Sequence, residues 1–412
     1  MTALLIHDVR TLVVVPPGPL AGRGMRDIPT VSGAAVLVQE GKIAWFGSAV
    51  DAPSPVGAAR LSAHGGTVIP GLIDPHTHIP FVGDRSQEFV RRIAGETYLS
   101  IMQSGGGIRV TTDAVRRATH DELVAENLPR LGRMLSYGVT TVECKSGYGL
   151  APEHERKQLE AIRELAGLQP IDLVPTYLGA HALPPEFDGR QDEFIESIAD
   201  PVFLAELARA GLARFCDVFC DRGACTVAQA RRVLERATAA GLRLKLHADE
   251  LAQIGASRLA GELRAVSADH LEQIDDGGIA ALKASGTIAV VLPGTSFFLG
   301  IAHCNARRLI AAGLPLALAT DFNPGSCMLE SLPWIMNIAA CQLGLLPNEV
   351  LTACTANAAA ALDLHHRTGA VAAGFDADLA MLDAASLEEW FYTPGRPRVR
   401  HVLKRGQVVY SG

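Results

Sequence analysis

Histidine and aspartate side chains follow short apolar segments at several separate points of the chain. His76 and His78 lie two residues apart after the first of these segments. Three later segments end in His247, His270 and Asp321. Alternation along a strand puts His76 and His78 on one face, where two imidazole nitrogens can hold one metal ion. A lone His-x-His pair is weak evidence, but together with the later residues it predicts a metal centre that takes borderline divalent or trivalent ions.

The elements that must position these side chains are short, buried strands that alternate with helical segments. This alternation is typical of parallel β/α units, and eight of them in about 290 residues predict an α/β fold with a closed (β/α)8 TIM barrel. Active sites of such barrels lie at the C-terminal ends of the strands, which is where the histidines and Asp321 fall. The strands are expected near Leu72–His76, Val139–Cys144, Ile171–Tyr177, Arg214–Phe219, Leu242–His247, Ala265–His270, Thr287–Leu292 and Pro315–Asp321.

Both chain ends have a different pattern, in which β-rich pieces alternate with turns. Residues 1–70 and 366–412 match in this respect. We therefore expect the two ends to pair into one small β-sandwich domain, with the catalytic barrel spanning residues 71–365. A long insertion, Phe81 to His120, follows the first barrel strand. Its run Ser104-Gly105-Gly106-Gly107 lacks the ending of a nucleotide P-loop, so the insertion is interpreted as a mobile active-site loop.

Composition excludes several classes of protein. The 412 residues carry 37 Lys and Arg against 44 Asp and Glu, a net charge of −7, with no basic run that could track a phosphate backbone. Nucleic acid is therefore not an expected partner. The longest apolar runs are far shorter than the roughly 20 residues of a membrane helix. Eight scattered cysteines without zinc-ribbon spacing indicate reduced thiols, and we expect a cytoplasmic protein.

Two stretches identify a family. The residues Val68-Ile69-Pro70-Gly71-Leu72-Ile73-Asp74-Pro75-His76-Thr77-His78 resemble the opening signature of the amidohydrolase superfamily. The tail from Gly369 to Leu379 is similar to the return of the chain into the small β-sandwich of those enzymes. The resemblance covers essentially the whole chain and implies a metal-dependent hydrolase.

A closer resemblance is to the members of this superfamily that hydrolyse 4-imidazolone-5-propanoate to N-formimidoyl-L-glutamate in histidine degradation. It is carried by Lys145-Ser146-Gly147-Tyr148-Gly149, Gly179-Ala180-His181 and Asp321-Phe322-Asn323-Pro324-Gly325-Ser326. The resemblance implies one zinc or iron ion per chain, held by His76, His78, His247 and Asp321. It implies substrate contacts by Arg85, Tyr148, His181 and Glu250, and contacts with substrate or product by Asn323, Gly325 and Ser326. It also implies a homodimer.

Hydrolysis of a cyclic amide needs an activated water, a polarised carbonyl and a proton for the departing nitrogen. A metal with His and carboxylate neighbours can supply all three. We expect Asp321 to relay the proton of the water, Glu250 to act on the substrate ring, and His270 to serve as general base or oxyanion donor rather than as a second ligand. One metal is favoured over two. Lys145 is nevertheless a candidate for a carboxylated bridging lysine, unless it pairs with Glu143 or Glu250.

Two alternative functions stay open, one a different reaction and the other a protein without catalysis. The segment His247-Ala248-Asp249-Glu250 also fits metal-dependent deaminases of the same superfamily, which place a proton-shuttling Glu three residues after the strand-five His. Deamination releases ammonia, whereas opening an imidazolone ring does not. A non-catalytic relative that keeps the barrel for assembly would lack ligands, and every expected ligand residue is present.

Overall fold

The structure, a computed structural model, describes residues 3–53, 55–96, 100–101 and 104–412. Its strands, in chain order, are β1 (Ala3–Val13), β2 (Thr30–Gln39), β3 (Lys42–Ser48), β4 (Ala59–Ser62), β5 (Thr67–Pro70), β6 (Leu72–Asp74), β7 (Val139–Lys145), β8 (Asp172–Ala180), β9 (Phe215–Cys220), β10 (Arg243–Ala248), β11 (Ser267–His270), β12 (Ile288–Val291), β13 (Leu316–Leu318), β14 (Leu379–Leu382), β15 (Val399–Lys404) and β16 (Gln407–Ser411).

The described helices lie mainly between the strands from β6 onward. In chain order they are α1 (Ser86–Ile93), α2 (Ile108–Arg117), α3 (His120–Ser136), α4 (Pro152–Leu168), α5 (Gln191–Ile198), α6 (Pro201–Arg209), α7 (Val227–Ala239), α8 (Ala256–Glu262), α9 (Asp276–Ser285), α10 (Pro293–Leu299), α11 (Ala306–Ala311), α12 (Leu332–Leu343), α13 (Pro347–Ala353), α14 (Ala356–Ala361) and α15 (Leu387–Tyr392). Short 3-10 turns are at Gly22–Met25, Ala49–Asp51 and Pro185–Phe187. In the part of the chain that the structure describes, every helix is too short or too polar to cross a membrane.

Strands β6 to β13 form one parallel sheet in which each strand pairs with the next one in sequence. The ring is completed at a seam just beyond β6 and β13. There Thr77 forms a parallel bridge with Phe322. The Asp321 amide donates to the His76 carbonyl at 3.0 Å, and the His78 amide donates to the Phe322 carbonyl at 3.0 Å. The predicted (β/α)8 barrel is confirmed. Its strands appear in the sequence as apolar runs because helices cover them on the outside and side chains fill the interior.

The chain ends form a second sheet. Its order is β16-β15-β14-β5-β1-β2-β3, with β4 paired to β1. Strand β14 runs antiparallel to β5, so that Leu379 faces Pro70, and β1 runs antiparallel to β2. A sheet built from both ends was predicted and is confirmed. The exact boundaries at residues 70 and 366 remain a prediction.

A buried lysine joins this sheet to the barrel. Lys404, the last residue of β15, donates to the Asp378 carboxylate at 2.8 Å and to the carbonyl of Thr140 in β7 at 2.9 Å. Its Nζ is also 3.0 Å from Asp172 Oδ2, at the start of β8. The amide of Gly71 donates to the Asp378 carbonyl at 2.8 Å. These contacts lie where the chain passes from β5 into β6, so they fix the first barrel strand against the sheet.

The insertion after the first barrel strand contains helices α1 and α2. Parts of the predicted active-site loop, residues 97–99 and 102–103, lie outside the described residues. The loop begins with buried Phe81, and Arg85 directly precedes α1. Its mobility remains a prediction.

Candidate metal centre

Four imidazoles meet at the C-terminal ends of the barrel strands. The ring centroid of His76 is 5.3 Å from that of His78, 4.5 Å from that of His247 and 5.6 Å from that of His270. All four side chains are buried. A donor atom from each of His76, His78 and His247 lies within 4.8 Å of the other two, and His76, His270 and Asp321 form a second such group. Residues from four separate strand ends therefore converge on one small volume.

Asp321 faces the two histidines of the His-x-His pair. Its Oδ1 is 3.5 Å from His76 Nε2 and 3.2 Å from His78 Nε2. Its Oδ2 accepts hydrogen bonds from Thr295 Oγ1 at 2.5 Å and from Ser326 Oγ at 3.2 Å. Burial acts to raise the pKa of Asp321, but its close interactions with the His76 and His78 rings outweigh it and hold that pKa well below its usual range. The carboxylate is thus anionic at neutral pH.

Carboxylates behind the imidazoles set the orientation of two rings. His76 Nδ1 is 2.6 Å from Asp269 Oδ2, and His247 Nδ1 is 3.0 Å from Asp217 Oδ2. A proton on His76 Nδ1, shared with Asp269, leaves the His76 Nε2 lone pair free. The charge of Asp217 favours the same tautomer of His247, although His247 Nδ1 lies outside hydrogen-bond geometry. His76 Nε2 and His247 Nε2 have no hydrogen-bond partner among the described residues, although both are buried. Because buried polar atoms are rarely left unpaired, this donor set fits a metal ion.

Lys145 belongs to an ionic network below the cluster and not to the cluster itself. Its Nζ donates to Glu143 Oε1 at 2.9 Å and to Asp217 Oδ2 at 2.7 Å. Lys245 Nζ donates to Glu143 Oε2 at 2.7 Å. Burial would lower the pKa of Lys145, but Asp217, Glu143 and Asp269 together raise it above its ordinary value. The ammonium group of Lys145 is thus paired with Glu143, which is one of the alternatives that the sequence left open.

A third group of potential ligands, His76 with Glu143 and Asp269, lies inside this network. Two ammonium groups already occupy the space between its carboxylates, since Lys145 Nζ is 3.8 Å and Lys245 Nζ is 3.7 Å from Asp269 Oδ2. A divalent cation there would face two positive charges at close range. The network is better described as internally neutralised than as a second metal site.

His270 lies between two glutamates. Its Nε2 is 3.6 Å from Glu250 Oε2 and its Nδ1 is 3.8 Å from Glu272 Oε2, both too long for direct hydrogen bonds. Burial lowers the pKa of His270 well below its ordinary value, so the ring is neutral. Burial raises the pKa of Glu250, with smaller contributions from Glu272, Asp321 and other carboxylates. The backbone of His270 has φ of 80°, a strained conformation of the kind that clusters at functional sites.

The remaining predicted substrate contacts surround the cluster on two sides. The His181 ring stacks on His78 with centroids 5.0 Å apart, and Tyr148 lies 5.9 Å from His78 and 5.4 Å from His181. Arg85 is on another side. Its guanidinium packs on Gly325, where an added Cβ would lie 1.3 Å from Arg85 Nη2. Glycine at this position is therefore what leaves room for the arginine.

Polar side chains hold the loops that carry these contacts. Glu155, near the start of α4, accepts backbone amides of Gly147, Gly149 and Leu150 at 2.7 to 2.9 Å, which fixes the loop around Tyr148. Asn323 similarly fixes the loop after the last barrel strand. Its Oδ1 accepts the amides of residues 325 and 326 at 2.8 Å, and its Nδ2 donates to the carbonyl of residue 321 at 2.7 Å. The side chain of Asn323 is thus engaged within the protein.

Sequence reasoning did not identify several of the residues that shape the site. These are Asp217, Asp269, Lys245, Glu272 and Thr295. A signal was present for the first three, since each is a charged residue inside a strand whose other residues are mostly buried. In a barrel strand such a residue points into the packed interior, where it needs a partner. The identity of that partner could not be read from spacing.

Fold and cluster together define a metal-dependent barrel hydrolase. A model of the amidohydrolase family matches residues 67–409. The chain is 44% identical over 411 residues to the imidazolonepropionase of Shouchella clausii (strain KSM-K16), which covers 98% of this chain and 92% of that protein. The chain therefore belongs to the amidohydrolase family and, within it, to the imidazolonepropionases.

Solved structures agree on the architecture. A triazine hydrolase variant matches with a TM-score of 0.77 at 16% identity, covering 99% of this chain and 95% of that one. An adenosine deaminase from Xanthomonas campestris with bound zinc matches with a TM-score of 0.73 at 20% identity, covering 99% and 92%. At these identities the likeness shows the shared fold alone.

The contact of Asp269 with His76 can be tested by substitution. Replacing Asp269 with asparagine keeps the shape but removes the charge that holds the His76 Nδ1 proton. We expect the affinity for metal to fall about 10- to 100-fold, as is typical when the partner of a metal-binding histidine is lost. Competition with a chelator, followed by elemental analysis, measures this directly. The matched control is Asp275→Asn, which changes an aspartate at the start of α9. Unchanged metal affinity in Asp269→Asn would show that Asp269 does not orient a ligand.

Proposed function

We propose that this protein hydrolyses the ring C–N bond of 4-imidazolone-5-propanoate to give N-formimidoyl-L-glutamate, in the cytoplasmic degradation of histidine. The observation that carries the proposal is the contact of the Arg85 guanidinium with Gly325, four residues after Asp321 of the candidate metal centre. A group of side chains that can hold a water-activating metal and a largely enclosed guanidinium that can bind a carboxylate thereby share one site. The membership of the chain in the imidazolonepropionases supports the same substrate.

We further propose that His76, His78, His247 and Asp321 hold one zinc or iron ion. Both metals accept histidine and carboxylate ligands. A bound ion supplies Lewis acidity, which lowers the pKa of water toward about 7 and polarises a carbonyl. A single ion is supported by Lys145, which is engaged with Glu143 and Asp217 and so offers no bridging group.

The residues around the metal move the protons of the reaction. Water adds across the C–N bond, so that its hydroxyl goes to the carbonyl carbon and a proton goes to the ring nitrogen. Asp321, which is anionic, accepts the proton of the attacking water. Glu250 donates the proton to the departing nitrogen, a role that its raised pKa favours. His270, neutral and 3.6 Å from Glu250, interacts with the oxygen that becomes negatively charged.

Other residues select and hold the substrate. In our proposal Arg85 binds the propionate carboxylate with its planar guanidinium. Among the described residues, its buried Nε has no hydrogen-bond partner and its Nη1 makes only a long contact of 3.9 Å with Glu88. Tyr148 and His181 flank the ring, since both lie next to His78. Gly325 and Ser326 line the carboxylate end, and Asn323 keeps that loop in shape.

The proposal is tested by product analysis with the purified, metal-loaded protein. Incubation with 4-imidazolone-5-propanoate should give N-formimidoyl-L-glutamate, identified by mass spectrometry, without release of ammonia. Ammonia as a stoichiometric product would favour the deaminase alternative instead. Metal-loaded protein that leaves the imidazolone intact would refute the proposed activity.

His270 should be essential for turnover but not for metal binding. We expect His270→Ala to retain its metal and to lose on the order of 10² or more in kcat, as for removal of an acid–base or oxyanion group. Elemental analysis and steady-state kinetics on the same preparation separate the two effects. His401→Ala, on β15 of the second sheet, is the control and should match the wild type. If the metal is lost together with activity, His270 is a ligand.

Arg85 should determine specificity for the carboxylate. Truncating one partner of a buried charge pair commonly costs about 2 to 5 kcal/mol, so Arg85→Ala should lower kcat/KM about 30-fold or more with metal content unchanged. Gly325→Ala should have an effect in the same direction, because the new Cβ displaces the end of the Arg85 side chain. Gly132→Ala in α3, where a Cβ meets open space, is the matched control.

The effects of Arg85→Ala and Gly325→Ala are interpreted with a substrate analogue that has a neutral amide in place of the carboxylate. Wild type should discriminate strongly against this analogue, whereas Arg85→Ala and Gly325→Ala should not. Equal discrimination by all three proteins would mean that another residue binds the carboxylate.

A further inference from the structure

A buried aspartate, Asp221, lies directly after strand β9 and is 2% exposed. Its carboxylate accepts backbone amides from a separate segment of the chain. Oδ2 accepts from Glu250 and Leu251, both at 2.8 Å, and Oδ1 accepts from Ala252 at 3.0 Å. Oδ1 also accepts from the adjacent amide of Arg222 at 2.6 Å. Three successive amides thus converge on one carboxylate that is about 30 residues away in sequence.

The segment that Asp221 holds has no regular structure of its own. Residues 249–252 follow strand β10 and form bends before helix α8 begins. Asp249 has φ of 52°, in the left-handed region that non-glycine residues rarely adopt. The Leu251 side chain points outward and is 55% exposed, so it adds little packing. Charge-assisted hydrogen bonds to Asp221 are therefore a main constraint on the backbone here.

The backbone conformation of this segment determines where the Glu250 side chain points. Glu250 projects inward, with its carboxyl oxygen 3.6 Å from His270 Nε2 and its side chain 12% exposed. Its neighbour Leu251 projects to solvent. A rotation of the peptide between them would move the Glu250 carboxyl away from the ring, and errors near 1 Å in placing a reacting group can cost about 10²-fold in rate.

We propose that Asp221 is a positioning residue, which acts on the reaction through Glu250 by binding the amides of residues 250–252. The inference rests on the proposed function, in which Glu250 donates a proton to the departing nitrogen. It adds a residue outside both the groups of potential metal ligands and the set of proposed substrate contacts. Glu155 has a corresponding place under the loop of Tyr148, so a carboxylate beneath a proposed substrate loop occurs twice among the described residues.

The experiment compares Asp221→Ala and Asp221→Asn, each alone and combined with Glu250→Gln. Alanine removes all the acceptors. Asparagine keeps one oxygen but turns an NH₂ group toward backbone amides, so it should give a smaller version of the same defect. The control is Asp200→Ala, which removes an aspartate that accepts the Phe203 amide at 2.8 Å at the start of α6, in a segment with no proposed site residue.

In the wild-type background, Asp221→Ala should lower kcat/KM on the order of 10²-fold and retain its metal. In the Glu250→Gln background the further loss should shrink to about threefold or less, because two residues that act as a unit are not additive. A merely structural role would give the same loss in both backgrounds and would overturn the proposal. Loss of metal in Asp221→Ala would also overturn it, because the effect would then pass through the metal ligands.

Amide hydrogen exchange tests the same claim without any substrate. The amides of Glu250, Leu251 and Ala252 should be protected in the wild type, should exchange faster in Asp221→Ala, and should stay protected in Asp200→Ala. Unchanged protection in Asp221→Ala would overturn the proposal. If wild-type protein fails to open the imidazolone, the proposed function fails, while the exchange result still decides whether Asp221 holds this segment.

Discussion

The arrangement of the site depends on a group of charges that are fully enclosed in the barrel. Lys145 and Lys245 lie among Glu143, Asp217 and Asp269, and none of the five is exposed. Charges in such a place are costly unless each has a partner, and removing one member leaves the others uncompensated. Each carboxylate therefore has a defined position, and Asp217 and Asp269 face imidazole rings of the candidate metal centre. The direction of the ring lone pairs follows from ion pairing one layer deeper in the barrel.

The loops above the cluster are held by a related principle. Glu155, Asp221 and Asn323 are polar side chains that each accept two or more backbone amides from a loop facing the site. Strands and helices supply their own hydrogen-bond partners, whereas an irregular loop near a buried pocket must obtain them from side chains. The barrel thus gives the loops their approximate places, and these side chains determine their detailed conformation.

Most of the fold could be predicted because parallel strands that are buried on both faces appear as apolar runs, and the residues ending those runs include His247 and Asp321. Partners could not be predicted in the same way. The carboxylate that contacts His76 is 193 positions away in sequence, and no periodicity relates such a pair. The contact of Arg85 with Gly325 could not be predicted either, because it depends on the absence of a Cβ atom at Gly325. Local patterns record burial, but they do not record contacts between distant elements.

The seam that completes the barrel affects the order in which the protein folds and binds metal. His76 and His78 lie on one side of it and Asp321 on the other, so the candidate ligands are divided between the strands that are made first and last. During synthesis the histidines emerge roughly 240 residues before the aspartate, and closing so long a loop carries an entropic cost. A complete ligand set exists only once the ring has closed. Folding of the barrel therefore precedes tight metal binding, and an ion bound there would link the two barrel strands that are farthest apart in sequence.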